Sequence, residues 1–310
     1  MATEGGRPTG AAMSRLLAYA QLVRLPNVPS AVADIALGAV AVGALPERWL
    51  PALALCAASV CLYMAGMALN DFFDVEEDRR ERPERPIPSG RIARAEAGLL
   101  GALLLLAGVG FAAAASLTVG PRPIWTAVAL VAAILAYDGG LKRTAAGPVA
   151  MGACRFLNVL LGVSVAGGAV TFGQLHLAAV VGLYIVGVTW LAKTEARTSS
   201  RAALQGAAAV ILASLGLGLA LPAALPAGTA SPLFPFLLVG FGFFLGAALA
   251  DAIRHPEPRP VQAAVKRCLV GLIVLDAILA SGVAGTAGLA VLALFVPSLV
   301  LNRRRALYAT

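Results

Sequence analysis

The chain alternates long runs without charge and short segments that hold nearly all of it. Residues 97–121 and 202–250 contain no Asp, Glu, Lys or Arg. The second run is long enough for two helices of roughly 20 residues, the length that crosses about 30 Å of hydrocarbon. A soluble helix would show a polar face at helical period, and these runs show none. Strands of a membrane barrel would alternate apolar and polar positions, and these runs do not. Lipid cannot satisfy free backbone groups, so the spans must be helices. The pattern predicts an all-α polytopic membrane protein with ten candidate spans, at 28–45, 51–70, 97–118, 123–137, 148–168, 174–192, 203–222, 232–250, 264–282 and 285–301. Residues 1–27 and 303–310 read as an N-terminal segment and a C-terminal tail around one transmembrane domain, 28–302.

The basic residues orient these spans. Arginines and lysines cluster before the first span, between the second and third, the fourth and fifth, the sixth and seventh, and the eighth and ninth, and after the tenth. Only Arg48 and Arg122 fall on the other side. The excess of Lys and Arg marks the cytoplasmic side, so both termini and the charged loops are expected there, in a multi-pass protein of a bacterial inner membrane. Composition agrees: 59% of residues are hydrophobic, only 13% are charged, and mean hydropathy is +0.85. The net charge of +8 is the topology signal plus attraction to anionic lipid heads. A nucleic-acid partner would need a basic patch on a soluble surface, and none is predicted. The four cysteines, with no CxxC spacing, read as small buried residues.

Against this background the run Asn70-Asp71-Phe72-Phe73-Asp74-Val75-Glu76-Glu77-Asp78 stands out. Seven acidic residues lie between Asp71 and Glu84, at the end of an apolar span. Carboxylates at a membrane boundary are costly to desolvate unless they are neutralised. If the second span continues as helix through Asp78, then Asn70, Asp71, Asp74 and Asp78 share an arc of about 100°. Carboxylates on successive turns suit Mg²⁺, which takes oxygen ligands and commonly bridges them to substrate phosphates. Asp71, Asp74 and Asp78 are the expected metal ligands, and Asn70 adds an amide to the same face. The proline-rich loop that follows, from Arg82 to Arg91, places Arg85 and Arg91 within reach of phosphate oxygens. Two further acids lie inside spans, Asp34 and Asp276, and an intramembrane carboxyl is a functional suspect by default.

These residues resemble the first aspartate-rich motif of the UbiA superfamily of intramembrane prenyltransferases, in NDFFDVEED followed by RPIPSGRI. Leu22-Val-Arg-Leu-Pro-Asn27 is similar to the family's Arg-x-x-Asn segment before the first span. Tyr137-x-x-x-x-Lys142-Arg143-Thr144 is similar to its fourth-to-fifth loop. The segment around Arg155 and Asn158, with Val261 to Lys266, resembles the EboC-like branch. The resemblance implies a bundle of nine to ten transmembrane helices around a central cavity open to the cytoplasmic side. It implies Mg²⁺-dependent transfer of a prenyl group from a prenyl diphosphate to a lipophilic acceptor, with release of diphosphate. Asp71 and Asp74 would be catalytic with Tyr137 and Lys142. Asn27, Asn70, Arg85, Arg143, Arg155 and Asn158 would bind substrate.

The chain departs from that family where a second acidic motif should follow the sixth span. The stretch from Thr189 to Arg201 holds one acid, Glu195, among Lys193, Arg197 and Arg201. Glu195 and Arg197 are expected to contact substrate; either the cations hold diphosphate directly so that one metal suffices, the favoured reading, or the site has lost ionising power or takes a substrate outside the usual quinone pathways. A membrane transporter or a non-catalytic lipid-binding relative is the alternative reading. Ten spans without a visible internal repeat, and acids in a loop instead of at midplane, speak against a transporter.

Overall fold

The computed structural model describes residues 10–193, 195, 198–224 and 230–303. Among them there are twelve α-helices joined by short turns and five 3₁₀ segments, and no strand. The helices are α1 (Gly10–Leu22), α2 (Val28–Ala41), α3 (Trp49–Phe73), α4 (Val75–Glu81), α5 (Arg94–Val119), α6 (Arg122–Gly139), α7 (Gly147–Val163), α8 (Phe172–Ala192), α9 (Arg201–Leu219), α10 (Phe234–Arg254), α11 (Pro258–Ala284) and α12 (Phe295–Arg303). Seven of the described segments are long and apolar enough to cross a membrane. The first expected span, α2, is shorter, with 14 residues.

Neighbours in sequence are neighbours in space. From α5 to α11 each long helix packs on the next, α3 packs on α5, and α11 returns to α2 and closes the ring. Helices α2 and α7 lie against each other across it. The packing relies on small residues, as expected where apolar burial gains little against lipid. A Cβ on Gly162 would come within 2.5 Å of the Ile35 carbonyl oxygen, and one on Gly38 within 2.5 Å of the Val159 carbonyl oxygen. Backbone therefore meets backbone where α2 crosses α7. Gly162→Ala is expected to lower thermal stability by about 1–3 kcal/mol through overpacking, read as a drop in melting temperature in detergent. An unchanged melting temperature would show that the crossing is loose.

Two buried clusters fill the bundle. One joins α8 to α11 around Tyr184, Phe234 and Phe241, and the other joins α2, α3, α5, α6 and α7 around Leu55, Leu62 and Leu161. Large apolar side chains also cover the outside, with Leu117 at 88% exposure and Phe243 at 77%. An apolar exterior on this scale fits lipid contact. Exposed Trp49, Trp125, Phe172 and Phe236 all sit in the first turn of their helices, at one end of the bundle.

The tenth expected span is not a regular α-helix. Gly285–Leu294 is 3₁₀, followed by the nine residues of α12. It packs back on α11 with Gly288 pressed on the backbone of Ala280. The 3₁₀ rise of about 2 Å per residue lets ten residues cover roughly 20 Å.

Candidate functional site

Two helical departures place the acidic run. The second span does not continue unbroken through Asp78: α3 stops at Phe73, and Asp74 sits between it and α4. Hydrogen bonds still bridge the break, from the Asp74 amide to Asn70 O at 3.0 Å and from the Asp78 amide to Asp74 O at 2.8 Å. The short α4 carries Glu76, Glu77 and Asp78 in its first turn and Arg79 and Arg80 in its last, matching its dipole.

The break divides the aspartates into two sets. Asp71 and Asp78 face the proline-rich loop. Arg85 lies 3.2 Å from Asp71 Oδ1 and 2.9 Å from Asp78 Oδ2. Asp74 instead faces the turn between α6 and α7, where Lys142 Nζ is 2.7 Å from Oδ2 and Arg143 Nη2 is 3.1 Å from Oδ1. Asp71, Asp74 and Asp78, expected to share a metal, therefore do not converge on one point with their side chains as they stand. Among the described residues no three carboxylates, imidazoles or thiols do.

Two residues join the site that sequence reasoning passed over. Asp138, only 3% exposed, accepts from Asn70 Nδ2 at 3.0 Å and lies 3.7 Å from Lys142 Nζ. Its signal was its position, between Tyr137 and four residues before Lys142. Arg24 reaches Asp71 Oδ1 at 3.4 Å from a left-handed backbone, φ 49° and ψ 51°. A non-glycine residue held there is uncommon, and such strain concentrates at functional sites. Its signal was the Arg-x-x-Asn spacing that ends at Asn27.

The loop from Arg82 to Arg91 is fixed by its own bonds. Arg91 donates to Gln21 Oε1 and to Glu84 O, both at 2.6 Å, so it holds the loop to α1 and does not turn toward the aspartates. Ile87 and Ile92 are buried with Ala18, Leu22 and Val75.

Glu195, after α8, lies near the arginines of this loop. Glu195 is half-buried, and burial pushes its carboxyl up while Arg82, Arg24 and Arg85 pull it back. It thus feels the same arginines as Asp71 and Asp78. Lys193 and Arg201 are engaged elsewhere. Lys193 Nζ donates to Thr144 O at 2.8 Å, and Arg201 Nη2 to Arg254 O at 3.3 Å. Neither forms the cationic wall expected of them, because each caps a neighbouring carbonyl. Arg197 lies outside the described residues.

Below the aspartates opens a cavity of about 270 Å³. Arg24, Asn27, Tyr137 and Asp138 line it together with Tyr63, Arg155 and Asn158, and Leu62, Leu130, Ile134, Met151 and Ile185 supply apolar walls. Arg155 is bound at its base. Its Nη1 is 2.9 Å from Asp34 Oδ2, its Nη2 is 3.0 Å from Ser30 Oγ, and its guanidinium lies 5.6 Å from the Tyr63 ring centre. Asn158 Nδ2 donates to the same Asp34 oxygen at 2.8 Å.

The site thus sets charged groups at the mouth of a largely apolar chamber. Every aspartate of the described cluster has a cation beside it: Asp71 and Asp78 pair with Arg24, Arg85 and, at 3.8 Å, Arg82, and Asp74 and Asp138 with Lys142 and Arg143.

Solved structures share this architecture. A digeranylgeranylglyceryl phosphate synthase superposes with a TM-score of 0.62 at 20% identity, over 93% of this chain and 99% of the other. A UbiA homolog from Archaeoglobus fulgidus, solved bound to DMAPP and Mg²⁺, superposes with a TM-score of 0.64 at 16% identity, over 89% of this chain and 99% of that one. In sequence, the digeranylgeranylglyceryl phosphate synthase of Ignicoccus hospitalis is 38% identical over 135 residues, 43% of this chain and 42% of the relative. That of Methanothermobacter thermautotrophicus is 29% identical over 170 residues, 54% of this chain and 55% of the relative. The chain therefore matches about half the length of these curated relatives or less. The UbiA prenyltransferase family model matches residues 31–272, from α2 through α11, and this chain belongs to that family.

Proposed function

We propose that the chain transfers a prenyl group from a prenyl diphosphate to a lipophilic acceptor and releases diphosphate. The observation that carries this reading is the pairing of Asp71, Asp74 and Asp78 with Arg85, Lys142 and Arg143, joined through Arg24 and Asp138 to a largely apolar cavity that these last two line. The cations suit phosphate oxygens. The apolar walls suit an isoprenoid. The Archaeoglobus homolog with DMAPP and Mg²⁺ supports the same reading. The relatives' name makes a hydroxyl of a glycerol-phosphate lipid the first acceptor to try.

Mg²⁺ fits the donor set. Asp71, Asp74 and Asp78, with Asn70 beside them, offer hard oxygen donors and no soft ligand. These residues would hold it, and the bound ion would neutralise the leaving diphosphate. The cations now paired with the aspartates bind the diphosphate. Arg85 and Lys142 turn from carboxylate to phosphate oxygens, and Arg143 closes from the exposed side. A divalent cation and a diphosphate arriving together largely cancel, so the balance of the site survives binding. Tyr137 lines the cavity beside Asp138 and presents its ring to the developing allylic cation. The bond from C1 to the diphosphate oxygen breaks with its electron pair leaving on diphosphate, the acceptor hydroxyl oxygen bonds to C1, and its proton passes to the departing diphosphate. The surrounding helices keep water from the cation. Asn27 and Glu195 border the substrate, and the mouth faces the cytoplasm, as the loop charges indicate.

Asp138 steadies Lys142 and Asn70. Asp138→Asn is expected to lower kcat by about 10–100-fold, the usual effect of losing an orienting partner. Steady-state kinetics checks this, and an unchanged kcat would remove Asp138 from the site. The proposal itself is tested with purified full-length protein in lipid nanodiscs, Mg²⁺ and labelled prenyl diphosphates of one to four isoprene units. A geranylgeranylglyceryl phosphate acceptor and a total lipid extract are supplied in parallel. Label passing into lipid supports it, and no diphosphate release with any donor contradicts it.

A further inference from the structure

The polar base of the cavity has no part in the chemistry at its mouth. The cavity wall runs over residues 59–67 on α3, 130–138 on α6 and 185–192 on α8. Each is about two turns, so the chamber is roughly 12 Å deep at 1.5 Å per residue. Its deep end is hydrogen-bonded shut. Ser59 Oγ donates to Asn158 Oδ1 at 2.8 Å, and Asn158 Nδ2 donates to Ala31 O at 3.0 Å as well as to Asp34. Arg155 stands beside them, tied to Asp34 and Ser30. Asp34, bonded to this layer, and Asp276 are fully buried, and among the described residues Asp34 Oδ1 and both Asp276 oxygens have no hydrogen-bond partner.

An apolar tail cannot press past such a layer cheaply. It would have to part hydrogen bonds between buried polar groups and leave them unpaired. It would also strip Arg155 from Asp34 and leave a buried carboxylate without its ion-pair partner. We infer that the layer of Arg155, Asn158 and Ser59 is a chain-length stop, which makes this protein selective for prenyl diphosphates of about two isoprene units. One isoprene unit adds four main-chain bonds, roughly 5 Å of extended length, so two units fill the chamber and a third meets the stop. This rests on the reading of the mouth as a prenyl diphosphate site.

The test is the chain-length profile of binding. Dissociation constants are measured with Mg²⁺ for dimethylallyl, geranyl, farnesyl and geranylgeranyl diphosphates on full-length protein in nanodiscs. Geranyl diphosphate is expected to bind tightest, with farnesyl and geranylgeranyl diphosphates at least about tenfold weaker. The double variant Asp34→Asn/Arg155→Met removes both charges together, which avoids a lone buried ion. It is expected to narrow the gap between farnesyl and geranyl diphosphates to less than about threefold. Tyr63→Ala opens the same wall and keeps both charges, removing only the ring that Arg155 lies over, and is expected to shift the profile in the same direction. Wild-type protein that binds geranylgeranyl diphosphate as tightly as geranyl diphosphate overturns the stop. So does an unshifted profile in both variants. Binding of none of the four overturns the reading of the mouth itself, which is a different result.

Discussion

Replacing Asp71 or Asp74 by alanine is expected to lower Mg²⁺-dependent diphosphate release by about a thousandfold or more, the scale on which preorganised charge stabilisation acts. The two losses differ in kind. Asp71→Ala leaves Arg24 without a partner and Arg85 with only Asp78. Asp74→Ala leaves Arg143 with only the Phe73 carbonyl among the described residues, and Lys142 with Asp138, 3.7 Å away, and the Asn70 carbonyl. Each variant thus gains a positive charge and can still attract diphosphate, so KM is expected to move less than kcat. That split separates loss of metal-assisted departure from loss of binding. Conversely, Arg85→Ala is expected to act mainly on KM. A variant of either aspartate with wild-type turnover would leave the motif a loop stapled by its own arginines.

The largest effect on stability is expected deep in the bundle. Arg155→Met leaves Asp34, fully buried, without its ion-pair partner. Breaking a buried ion pair from one side costs about 3–5 kcal/mol. The expected result is a marked fall in melting temperature in detergent, or loss of folded protein. Asp34→Asn placed on top of it is expected to restore most of the loss, because the amide needs no counter-charge and still meets Asn158. An Arg155→Met protein that melts like wild type would mean that the pair contributes little. This prediction is independent of any activity.

The bundle was readable because its signal is coarse. Charge-free runs mark spans wherever lipid is the solvent, and each expected span has a helical counterpart. The tenth was harder. Its 3₁₀ segment seats Gly288 on the Ala280 backbone, a contact that no periodicity announces. The candidate site was legible as a cluster at Asp71, Asp74 and Asp78, since carboxylates grouped beside an apolar run stand out in a chain with so little charge. The break at Asp74 was not, because its neighbours are ordinary helix formers and its partners, Lys142 and Arg143, come from a loop some seventy residues on. Asp138 was passed over for the same reason: one acid at a helix end carries no meaning until Asn70 is found against it. Lys193 and Arg201 were read by charge alone, and a cation next to a free carbonyl spends itself there. Arg155 and Asp34 each looked functional separately. Their ion pair spans 121 residues of sequence and exists only through the crossing of α2 and α7.

The most direct measurement follows a single label. Full-length protein in nanodiscs is given Mg²⁺, geranyl diphosphate labelled in the prenyl chain and a lipid acceptor, and free diphosphate and labelled lipid are counted together. Prenyl transfer predicts equal amounts of both, abolished by chelating Mg²⁺ and in the Asp71→Ala/Asp74→Ala double variant. Diphosphate release undiminished in that variant, or a wild type that binds the donor and labels no lipid with any acceptor offered, would contradict prenyl transfer and favour a carrier or lipid-binding role.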